Sequence, residues 1–189
     1  MHMLLKSKDI AFVGILMAIG VILVTLGGYL EGSTLFFLAA ASFLGGIVQR
    51  NLSVAAAAAF LAGTALLSFF LAPQKLYCAT FLAFGIYIIL AEYLEKTAAE
   101  RKKRVLAWVL KAVLFHGLFA AALFVVQKLF GLEILFGGKA FSFLQEYRIF
   151  FWIAVIICAE VFWIVFDRAY FYFQNRYGRL VYNVLTRSQ

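Results

Sequence analysis

Polar and charged positions cut this chain into long apolar runs. The first, Ile10 to Leu30, carries no charge, and its 21 residues reach about 30 Å as a helix, the depth of a bilayer core. Asp9 stands where a carboxylate meets the positive end of the helix dipole. Gly27-Gly28 is expected to end this helix, with Glu31-Gly32-Ser33 as the turn. Arg50-Asn51 stops a second run, and Pro73, the only proline, closes a third. Further runs end at Glu92, Gln127 and Asp167-Arg168. The pattern predicts six transmembrane helices over about 10–30, 33–49, 52–72, 75–94, 105–127 and 148–167, in a single domain covering 1–189. Lys111 interrupts the fifth run early, where its long stem is expected to snorkel back to the headgroups. Asp167-Arg168 is expected to mark a solvated boundary.

Two stretches do not read as spans. Phe130 to Tyr147 mixes glycines with large apolar residues and is expected as an outer connection, either an interfacial loop or a lid over an outward-facing cavity. The tail, 169–187, is amphipathic at helical spacing. Tyr170, Phe173, Tyr177, Leu180 and Val184 share one face, and Arg176, Arg179, Asn183 and Arg187 another. Such a helix is expected to lie flat at the inner headgroups or to dock on a cytoplasmic partner.

Charge sets the expected orientation. Glu95 to Arg104 holds five basic and two acidic residues and is expected as a water-facing loop. With both termini cytoplasmic, only Lys75, Lys128, Lys139 and Arg148 of the 17 Lys and Arg lie outside, which leaves 13 inside. That bias favours six spans with both ends in the cytoplasm.

Composition agrees. The chain is 66% hydrophobic with a mean hydropathy of +0.98, well above the 45–50% typical of soluble domains. Lipid is therefore the expected solvent, and a multi-pass place in the plasma membrane is expected. The net charge of +8 gathers at the ends of apolar runs, which suits membrane lipid and not nucleic acid. Cys78 and Cys158 fall inside apolar runs with no metal-ligand spacing, so no metal is expected. No P-loop, GxSxG or HExxH pattern is present, so neither an enzyme nor a cofactor is expected.

Helix packing in lipid uses small residues four apart. Gly14 and Ala18 form such a pair on the first helix, Ala41/Gly45 and Ser42/Gly46 on the second, and Ala55/Ala59/Gly63 and Ala58/Ala62 on the third. Each serves packing within the bundle or the docking of another protein. Glu160 lies deep in the sixth run, and intramembrane acids normally face the interior and find a partner. His116, at a matching depth on the fifth helix, is that expected partner. The pair reads as a structural clamp, a ligand site or a proton relay. Nearer the outer rim lie Tyr29, Glu31, Gln74, Tyr77, Lys139, Glu146 and Arg148; Tyr77, Glu146 and Arg148 join His116 and Glu160 as candidate ligand contacts.

The lead Lys6-Ser7-Lys8-Asp9-Ile10-Ala11 enters Gly14-Ile15-Leu16-Met17-Ala18-Ile19-Gly20. A brief polar turn comes next over 28–34, then Asn51 before an Ala/Gly-rich helix with Ala62-Gly63, then Ala72-Pro73-Gln74. In these features the first 95 residues resemble the substrate-binding S components of energy-coupling factor (ECF) transporters. The resemblance implies six helices and capture of a vitamin-like or related small molecule from outside. It also implies docking through Gly14 and Ala18 on a transmembrane coupling subunit served by cytoplasmic ATPases. The competing expectation is a scaffolding membrane protein of a cell-envelope or cell-shape assembly, working through its tail.

Overall fold

Nothing charged interrupts the chain between Ile10 and Leu30, and α1 runs unbroken from Ser7 to Tyr29 in the computed structural model of the protein. The structure describes residues 7–101, 104–130 and 148–187. After a short 3₁₀ turn, Glu31–Ser33, come α2 (Thr34–Asn51), α3 (Val54–Leu71), α4 (Leu76–Arg101) and α5 (Arg104–Phe130). The chain closes with α6 (Arg148–Phe173), a π-helical turn (Gln174–Gly178) and α7 (Arg179–Arg187). No strand occurs among the described residues.

Among the described residues, four helices are long and apolar enough to cross a membrane, within Ser7–Tyr29, Val54–Leu71, Leu76–Ala98 and Val105–Ala122. α2 falls short because its 18 residues end in Gln49-Arg50-Asn51. Large apolar side chains crowd the outside, among them Leu66, Phe70, Val105, Ile156 and Val165, as a lipid-facing surface requires.

Local chemistry sets the corners. Ser53 Oγ accepts the Ala56 N–H at 3.1 Å and caps α3. At the far end of α3, Lys75 Nζ donates to the carbonyls of Phe69 and Ala72, groups the helix itself leaves unpaired. Thr34 Oγ1 donates to the Gly27 carbonyl at 2.8 Å and ties α2 to α1. Gly27-Gly28 does not end α1, which continues to Tyr29. The glycines serve close approach instead: a Cβ at Gly28 would sit 2.7 Å from the Pro73 ring.

Two apolar cores lie side by side. One joins α1 to α4 through Phe12, Leu16, Leu38, Ile47, Phe60 and Phe81. The other joins α4, α5 and α6 through Tyr87, Phe115, Trp163, Phe166 and Tyr170. The small pairs of α2 are spent inside, since Ala41, Ser42, Gly45 and Gly46 are all buried. On α3, Gly63 receives Met17, whereas Ala55, Ala58, Ala59 and Ala62 face outward. Gly14 and Ala18 also face outward, and nothing lies within 4 Å of a Cβ at Gly14.

Three more local expectations fail. Most of the charged segment Glu95–Arg104 is helix, because α4 continues to Arg101 and α5 begins at Arg104. Its Glu, Lys, Ala and Arg content is strongly helix-forming, and Glu95 on α4 finds Lys111 on α5 at 2.8 Å. Asp167-Arg168 neither ends a helix nor marks a solvated boundary: α6 runs on to Phe173, and Asp167 is 5% exposed. The tail, lastly, is not one helix with one apolar face. The π-helical turn inserts extra residues per turn and rotates α7 relative to α6. Gly178, Val181, Tyr182 and Leu185 therefore turn toward α1 and α2, with Tyr182 edge-on to Phe12 at 5.0 Å. Tyr177, Leu180 and Val184 stay uncovered.

Candidate functional site

Polar side chains collect at two depths between α4, α5 and α6. The first collection lies toward the end of the bundle that carries α7. Lys111 on α5 is 3% exposed, so it does not snorkel. Its Nζ lies 2.8 Å from Glu95 Oε2, 3.6 Å from Asp167 Oδ1 and 4.0 Å from the centre of the Phe171 ring. Asp167 Oδ1 also accepts the Tyr87 hydroxyl at 2.8 Å, and that hydroxyl accepts Trp163 Nε1–H at 2.7 Å. The chain of contacts begins at an indole, which can only donate. It reaches water at Glu95, whose side chain is 47% exposed. Burying a lysine and an aspartate is tolerable only with this degree of pairing.

A second knot adjoins it. Glu92 Oε1 receives Arg50 Nε at 2.7 Å, Arg50 Nη2 at 2.7 Å and the Tyr170 hydroxyl at 2.6 Å. Arg50 Nη1 donates to Asn175 Oδ1 at 3.0 Å. Gln174 Nε2 donates to the Phe43 carbonyl at 2.8 Å. Gly46 makes room for this, since a Cβ there would lie 2.2 Å from Tyr170 Oη and 2.8 Å from Gln174 Nε2. α2, α4 and the π-helical turn are thus bolted together, and the arrangement holds the tail.

The other depth is that of His116 and Glu160. Each lies 12 residues into its helix, so each sits about 18 Å from its start. The structure brings His116 Nε2 to 3.0 Å from Glu160 Oε1. His116 Nδ1 lies 2.7 Å from the Ala112 carbonyl. A carbonyl only accepts, so Nδ1 carries a hydrogen. The Nε2–Oε1 contact then holds one proton, either as imidazolium and carboxylate or as imidazole and carboxylic acid.

This pair does not face a packed interior. Its side chains are 41% and 44% exposed. α5 and α6 meet here through side chains, with Phe115 and Phe162 ring centroids 6.4 Å apart, and not through close backbone packing. Phe115 stands edge-on to His116 at 5.7 Å and stacks on Phe119 at 6.2 Å. A proton-sharing pair beside a wall of phenyl rings can bind a small polar solute by hydrogen bonds and ring contact.

Tyr77 is not beside this pair. It packs in the first turn of α4 on the α1–α4 core, near Gly28 and Pro73. Arg148 opens α6. Glu146 lies outside the described residues, as does the expected outer connection over 131–147. Among the described residues, no three His, Cys, Asp or Glu side chains gather to hold a metal. Sequence reasoning missed Tyr87, Trp163, Asp167 and Lys111 as a group; the one available signal was two opposite charges at the same depth on neighbouring helices. Comparison with protein-family models, curated proteins and solved structures found no match to this chain.

Proposed function

We propose that this chain is a small-solute-binding membrane subunit of the S-component type, with six spans and both ends on the cytoplasmic side of the plasma membrane. The observation that carries it is the His116–Glu160 pair, 3.0 Å apart and half exposed at mid-helix. A carboxyl group turned to hydrocarbon costs about 2.5–3.5 kcal/mol on insertion scales, and ionisable groups at this depth face cavities or ligands. A solute would enter between the outer halves of α4, α5 and α6 and displace water from the pair. The outward-facing Gly14 and Ala18 suit docking on a transmembrane coupling subunit with its ATPases.

Mass spectrometry of small molecules retained on the purified protein tests this. The wild type is expected to carry a defined solute and Glu160→Gln to lose it, with unchanged unfolding midpoints. Retention of the same solute by Glu160→Gln would remove the site. Recovery of wall-synthesis or division proteins from native membrane, in place of ATPase subunits, would mark a scaffolding protein instead.

A further inference from the structure

We propose that α7 is a binding face for anionic phospholipid headgroups in the leaflet where α7 meets the start of α1. The π-helical turn sends Val181, Tyr182 and Leu185 into the bundle, which fixes how α7 is rolled. Rolled that way, Tyr177 (45% exposed), Leu180 (56%) and Val184 (66%) form a second apolar stripe beside the docked one. Their spacing of three and four places them on one line along the helix. The stripe continues the uncovered apolar surface that Tyr172 presents at the end of α6.

Arg176 and Arg179 flank the stripe on the side away from the bundle, both exposed. No ion pair joins either one to a described residue. Glu92 is engaged with Arg50 and Tyr170, and Glu95 and Asp167 with Lys111. A helix with one face on protein, the next apolar and the next cationic matches a leaflet boundary, with acyl chains under the stripe and phosphates at the guanidinium groups. Because the tail is bolted through Glu92, Arg50 and Gln174, the backbone that carries both arginines is held in place before lipid arrives, which lowers the ordering cost of binding.

The full chain in nanodiscs of phosphatidylcholine, titrated with phosphatidylglycerol and read by native mass spectrometry of bound lipid, tests the proposal. The wild type is expected to prefer phosphatidylglycerol, and Arg176→Gln/Arg179→Gln to bind it roughly twentyfold more weakly. Arg176→Lys/Arg179→Lys should keep most of the preference. Lys128→Gln, at the last turn of α5, should leave it unchanged. Equal phosphatidylglycerol binding by wild type and the double Gln variant overturns the proposal. So does a photo-crosslinker at Leu180 that captures a polypeptide in native membrane instead of phospholipid.

Discussion

Lys111 Nζ and Asp167 Oδ1 lie 3.6 Å apart with almost no solvent contact, joining α5 to α6 inside a chain built for hydrocarbon. Each ion also has further partners, Glu95 and Phe171 for the lysine and Tyr87 for the aspartate. That pairing makes the site stabilising only while every member is present.

Asp167→Ala should therefore cost about 1–3 kcal/mol, because it takes one of two carboxylates from a buried ammonium and leaves the Tyr87 hydroxyl without its acceptor. Glu95→Ala removes a half-exposed partner and should cost under about 1 kcal/mol. Unfolding of both variants in detergent, monitored by circular dichroism, checks the ranking; equal losses would mean that Lys111 leans on Glu95 and not on Asp167.

Tyr87 is both donor to Asp167 and acceptor from Trp163. Tyr87→Phe keeps the ring packing and should cost about 1–3 kcal/mol, since the indole N–H of Trp163 is left buried and unpaired. Denaturation midpoints against wild type give the size. A loss no larger than that of an exposed change such as Tyr172→Phe would show that the hydroxyl contributes nothing.

Two glycines make opposite predictions. At Gly46 an added methyl meets Tyr170 Oη at 2.2 Å, so Gly46→Ala should cost about 1–3 kcal/mol and loosen the tail. Trypsin should then cut at Arg176 or Arg179 sooner than in wild type. At Gly14 the added methyl meets nothing within 4 Å, and Gly14→Ala should be neutral or stabilise by up to about 1 kcal/mol. Faster cleavage of both variants, or of neither, contradicts the assignment of Gly46 to the latch.

At the His116–Glu160 pair, Glu160→Gln should change stability by less than about 1 kcal/mol. The amide can donate to Nε2 while Nδ1 stays on the Ala112 carbonyl. Glu160→Leu removes the partner and leaves Nε2 unpaired, and should cost more, about 1–3 kcal/mol. Thermal midpoints of the two variants in one detergent decide it; a Gln variant as unstable as the Leu variant would show that the pair needs its charge to fold.

Much of this protein was legible in local pattern. Uninterrupted apolar runs set the helices, because a backbone without water must satisfy itself. Pro73 and Arg50-Asn51 marked corners close to where they fall. The pairing of His116 with Glu160 could be read from equal depth on two consecutive helices. The facing of side chains was not legible. A helix apolar all round, as α1 and α3 nearly are, names no inner face, so small-residue pairs on α1 and α2 look alike in sequence yet point out in one and in on the other.

Sequence alone, then, determined that this chain folds as apolar helical rods with charged ends and an amphipathic tail, since hydropathy and helical period are properties of neighbouring residues. Tertiary structure alone decided that Lys111 and Asp167 are buried together, that Gly46 admits Tyr170, and that a π-helical turn divides the tail's apolar residues between bundle and surface. Those outcomes depend on which helices are neighbours and how each is rolled, and contacts between α2, α4, α5 and α6 set both.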